Sequence, residues 1–110
     1  MNAVLQSTLP EQQVLQYLSR PLLDFNALVL SLGSSALVHL GEAPDPNTAQ
    51  KREKPEFALA QQSIDLLAML QEKTRGNLTA DEARFLDNML FELRMLFVQV
   101  SQRQSAAKSP

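Results

Sequence analysis

Apolar residues recur along this chain with helical spacing, in three stretches separated by proline- and glycine-bearing breaks. No segment alternates with the period of two that marks a half-buried strand. The expected fold is all-α: a small three-helix domain, built as a helix, a linker and an antiparallel helical hairpin, preceded by an arm or short N-terminal helix. The first helix is expected to follow Asp24, whose carboxylate suits an N-cap. It should stop at Gly41, a residue that tolerates the left-handed conformation ending many helices. His39 falls in its last turn, where positive charge complements the helix dipole. The second helix is expected to open with Pro55 at its first position and run to about Thr74, with Lys73 and Arg75 at its carboxyl end and Gly76 stopping it. Thr79 and Glu82 form a capping-box pair that opens the third helix, expected to reach about Ser101. So short a connection predicts an antiparallel pair.

Between the first two helices lies a linker, residues 42–55. Pro44, Asp45, Pro46 and Asn47 read as a turn, and Lys51, Arg52 and Lys54, interrupted by Glu53 and Glu56, as a solvated charged stretch. This is the expected most mobile internal segment. Residues 1–21 are read as the N-terminal arm or short helix, through Val14, Leu15 and Leu18. Residues 22–101 form the helical domain, and residues 102–110 a disordered tail.

The faces of the helices carry more apolar surface than a three-helix domain can enclose. An α-helix turns about 100° per residue. On the third helix, Phe85, Leu86, Met89, Leu90, Leu93, Leu96, Phe97 and Val100 share one broad face, the expected core stripe. Phe91, Met95 and Val98 form a second patch across the axis, separated from the stripe by Arg94 and Asp87 on one side and by Glu92 and Gln99 on the other. The second helix sets Phe57, Ala60, Ile64, Leu67 and Ala68 beside Leu59, Leu66 and Leu70. The first is apolar nearly all round, with Phe25, Leu28, Val29, Leu32, Ala36 and Leu40 on one side. Its Ala27, Ser31 and Ser35 recur every fourth residue as a strip of small side chains along which another helix can approach. A large contiguous exposed apolar patch is uncommon on a soluble monomer. A homo-oligomer is therefore expected, a dimer first, or a different protein partner; the alternative is a monomer in which the N-terminal segment, through Val14, Leu15 and Leu18, folds back as a fourth helix and covers the surface. The expected interface comprises Ala27, Ser31, Ser35, Phe91, Arg94, Met95 and Val98. Arg94 reads equally as an interface anchor or as a side chain whose stem packs while its head reaches water.

Composition narrows the chemistry. The net charge of −2 lacks the positive footprint that nucleic-acid binding needs, so no nucleic-acid partner is expected. There is no cysteine, which excludes disulfides, thiolate metal sites and a cysteine nucleophile. One histidine, His39, cannot by itself build a multi-histidine metal site, and no serine or acid is spaced to complete a relay with it. Asp65 and Glu72, on one side of the second helix, read as a solvated face. Asn77-Leu78-Thr79 matches a glycosylation triplet, but the capping role of Thr79 explains it better. No catalytic, cofactor-binding or metal residue is assigned, and no cofactor is expected. No signal peptide is expected either. The uncharged stretch 25–41 is at the short limit for crossing a membrane and holds polar residues, so membrane contact is disfavoured and a cytoplasmic location expected.

Two blocks, ALVLSLGSSALVHLGEAPDP (residues 27–46) and IDLLAMLQEKTRGNLTADEARFLDNMLFELRMLFV (residues 64–98), resemble a bacterial family, domain-of-unknown-function family 1844. Its members carry "sLg..Al.hLGe.pdP", then "IDlL.mLeeKTkGNLt.eE" and "LyeLRm.yv". The resemblance covers residues 25–100, with Phe97 where the family has tyrosine. It implies a short bacterial cytosolic protein and no particular activity. The residues read structurally are Asp24, Gly41, Gly76, Thr79 and Glu82. The expected function is a self-associating interaction or adaptor protein without catalysis. The alternatives are a ligand-binding or enzymatic helical domain with a polar pocket, and a peripheral membrane protein.

Overall fold

The computed structural model describes residues 24–108. The expected N-terminal arm, residues 1–21, lies outside them. Among the described residues the protein is a three-helix all-α bundle without strands: α1 (Phe25–His39), α2 (Phe57–Lys73) and α3 (Ala80–Lys108). Side chains cap the N-termini of α1 and α3, whereas Glu56 at the start of α2 makes no side-chain cap bond. Asp24 caps α1, its Oδ1 accepting from the Ala27 amide at 2.9 Å. The far end closes as a Schellman turn: the Glu42 amide donates to the Leu37 carbonyl at 2.9 Å and the Gly41 amide to Val38 at 3.0 Å, with Gly41 at φ +79. That conformation costs any residue with a Cβ. Thr79 and Glu82 make the reciprocal capping box of α3, at 2.9 Å and 3.1 Å.

Two boundaries differ from the sequence reading. Glu56, not Pro55, precedes the first residue of α2, Phe57. The Glu56 amide donates back to the His39 carbonyl at 2.7 Å, so Pro55 is held in the linker. The second difference is at the carboxyl end. Residues 102–108, expected to be a disordered tail, continue α3 to Lys108. Gln102, Arg103, Gln104, Ala106 and Ala107 are good helix formers, and Arg103 ties this turn to Glu42 at 3.2 Å.

The core follows the expected stripes. Val29 and Ala36 of α1, Ile64 and Leu67 of α2, and Leu86, Leu90 and Leu93 of α3 are buried together. A second cluster, Leu40, Ala60 and Val100, is closed by Phe57 and Phe97, whose rings meet edge-to-face with centroids 5.3 Å apart. Each helix packs on both others, α1 and α2 most extensively. Gly33 allows α1 to lie close to α3, because a Cβ there would sit 2.6 Å from the Met89 sulfur.

The linker, expected to be the most mobile internal segment, contains the expected turn and is tied by specific bonds. The Asp45 amide donates to the Gln50 carbonyl at 2.9 Å and the Ala49 amide to Asp45 at 2.7 Å, while Asp45 Oδ1 accepts from the Asn47 amide at 2.8 Å. Arg52, read as part of a solvated run, is half-buried and ion-paired with Asp45 at 3.4 Å and with Glu56. Loop closure brings these charges together.

Candidate functional site

Two surfaces stand out. The first is the outer face of α3. Phe91, Met95 and Val98 are 60%, 45% and 52% exposed, on the side of the helix away from Leu86, Leu90 and Leu93. Helical geometry puts them there: residues 91, 95 and 98 follow the i, i+4, i+7 spacing of one stripe, about half a turn from the core stripe. Asp87, Asn88, Phe91, Arg94 and Met95 line a shallow groove of about 450 Å³ on this face. Arg94 is exposed, and among the described residues it makes no ion pair or hydrogen bond. Asp87 accepts a weak hydrogen bond from the Gln71 amide group at 3.3 Å.

The second surface is an open groove of about 570 Å³ between the carboxyl half of α1 and the linker. Ser31, Ser34, Ser35, His39, Asp45, Asn47 and Arg52 contribute its polar lining. His39 is held by the last turn of α1. Burial lowers its pKa below the ordinary 6.5, the Arg52 charge lowers it further, and Asp45 partly opposes both. The net shift favours the neutral imidazole over the charged one. Its Nδ1 and the Arg52 Nε are buried without a hydrogen-bond partner. No hydrogen bond joins His39 to Ser31, Ser34 or Ser35 among the described residues, so no nucleophile–base relay is formed. The guanidinium of Arg52 is already neutralised by two carboxylates. Arg52 and Ser34 were not legible as groove residues; the only sequence hint is the spacing of Arg52 four residues before Glu56.

The residues expected at an interface divide between the two surfaces. Phe91, Arg94, Met95 and Val98 share the outer face of α3. Ser31 and Ser35 are exposed on the groove side of α1, and Ala27 is half-buried. The strip and the patch line no common groove. Asp65 accepts from Gln61 at 2.9 Å and Glu72 pairs with Arg75, and among the described residues no three His, Asp or Glu side chains converge on a point that could hold a metal. No helix among them is long and apolar enough to cross a membrane.

Fold and surfaces together define a small three-helix domain with an exposed apolar patch on the outer face of α3 and an open, partly polar groove between α1 and the linker. The chain belongs to the family described as Domain of unknown function (DUF1844), which matches residues 22–99. No curated protein and no solved structure matches it significantly.

Proposed function

We propose that this chain is a self-associating interaction protein, a dimer in its simplest form, that works through the outer face of α3 and performs no catalysis. The observation that carries the reading is the pair of opposed apolar faces on α3. One is filled by α1 and α2. The other sets Phe91, Met95 and Val98 in water in the middle of a 29-residue helix. Fully burying a side chain of this kind stabilises by about 1.5–3 kcal/mol, so a partner helix has a driving force to gain here. The small-residue strip Ala27, Ser31 and Ser35, flanked by the exposed Leu28 and Leu30, is a second contact region consistent with a higher assembly. Sedimentation equilibrium on the wild type and on Phe91→Glu tests the reading. A wild-type dimer that becomes monomeric on substitution is expected. A wild type that is monomeric at high micromolar concentration refutes it.

A second reading has its own support, the unpartnered His39 Nδ1 and Arg52 Nε beside the serine-lined groove. There a small polar ligand would be bound rather than a protein. Chemical shifts of the His39 ring that move on addition of a ligand library, with α3 signals unmoved, would favour it.

A further inference from the structure

Self-association leaves open which way the helices run and in what register, and the charges beside the patch choose between the options. Asp87 and Arg94 are one heptad apart, so they lie on the same flank of the apolar stripe. Both are exposed and both line the groove on the outer face. Arg94 has no partner among the described residues.

In an antiparallel pair about a two-fold axis, like flanks face each other. A residue a given distance above the axis meets the residue the same distance below it. With the axis between residues 90 and 91, each Arg94 meets an Asp87 of the partner subunit, twice over by symmetry. Phe91 then lies beside its own copy at the centre. The competing antiparallel register, with the axis near residues 94–95, covers more of Met95 and Val98 but sets Arg94 against Arg94 of the partner subunit. In a parallel pair opposite flanks meet, and Asp87 would face Glu92 of the partner subunit. Both alternatives juxtapose like charges with no opposite pair to offset them, which opposes association. The register about residues 90 and 91 also brings the exposed Glu92 within roughly 4.5 Å, along the helices, of Glu92 of the partner subunit on the other flank, but its two Arg94–Asp87 pairs offset that single repulsion.

We propose that two copies of this chain pair through antiparallel α3 helices about an axis between residues 90 and 91, with Arg94 of each ion-paired to Asp87 of the partner subunit. The proposal rests on the self-association proposed above, and its test separates the two. Dimer dissociation constants are measured by sedimentation for the wild type, Arg94→Asp, Asp87→Arg and the double exchange, with circular dichroism confirming that each remains folded. Each single change should weaken the dimer about tenfold by creating two like-charge contacts. The double exchange should return it to within about threefold of the wild type, since each new pair is again opposite in sign.

The chain has no cysteine, so single-cysteine variants report the geometry independently. Phe91→Cys should cross-link to its own copy. Val98→Cys should not, because its two copies are separated by roughly 22 Å along the helices. Dimers indifferent to either single charge change, a double exchange that fails to restore affinity, or cross-linking at both cysteine positions as a parallel pair would give, each overturns this pairing and leaves self-association standing. A monomeric wild type overturns both.

Discussion

Gly41 and Gly76 are a matched pair for testing how the linker is held. Both have positive φ, Gly41 at +79 where α1 ends and Gly76 at +86 in the turn between α2 and α3. They differ in what a side chain would meet. At Gly76 a Cβ finds nothing within 4 Å, whereas at Gly41 it would sit 2.8 Å from the Arg52 carbonyl oxygen. Replacing glycine by alanine in this conformation costs about 1–2 kcal/mol, offset by about 0.4–1 kcal/mol from the less flexible unfolded chain. Gly76→Ala should therefore lose about 0.5–1 kcal/mol. Gly41→Ala carries the same strain and must also displace a backbone carbonyl by several tenths of an ångström. That carbonyl belongs to Arg52, whose side chain holds Asp45 and Glu56. The additional loss, taken as an overpacking cost, is about 1–2 kcal/mol, so a total of about 1.5–3 kcal/mol is expected. Urea unfolding followed by circular dichroism, with linear extrapolation and equal protein concentrations, measures both. Equal losses at the two positions would refute the account of the linker as packed against the end of α1.

The remaining predictions concern the cap, the groove and the outer faces. Thr79→Ala removes one half of the reciprocal box with Glu82 and should cost about 1 kcal/mol in the same assay. His39, with its pKa lowered mainly by burial, binds its proton less readily folded than unfolded. Its contribution to stability is complete above about pH 6.5 and is lost as the pH falls from there through the lowered folded value. The thermal midpoint of the wild type should accordingly drop more between pH 7 and pH 5 than that of His39→Gln, and parallel curves would count against the burial of the imidazole. Phe91→Glu should convert a dimer to a monomer without loss of helix content. Ser35→Leu, on the small-residue strip, should alter the assembly if that strip is a contact; an unchanged sedimentation profile removes it from the interface.

The helices, their core faces and most of their ends were legible in the sequence, because each depends on residues within a few positions of one another. Asp24, Thr79 with Glu82, Gly41 and Gly76 act through local hydrogen bonds and backbone sterics. The stripe from Leu86 to Val100 and the opposed patch at Phe91 follow from helical periodicity alone. The tail was misjudged because its Ser and Lys content suggested solvation, while the helix-forming Gln102, Ala106 and Ala107 and the Arg103–Glu42 contact favour continued helix. What only the tertiary structure decided depends on chain closure. The 42–55 segment could not be seen to fold against the end of α1, because Arg52 meets Asp45, and the Glu56 amide the His39 carbonyl, only once the loop is closed. The same holds for the groove that sets His39 beside Arg52 and the three serines, and for Gly33, whose lack of a side chain matters only because Met89 lies against it. Local spacing encodes helices and their faces, whereas contacts between distant residues arise from the balance of packing and charge over the whole bundle.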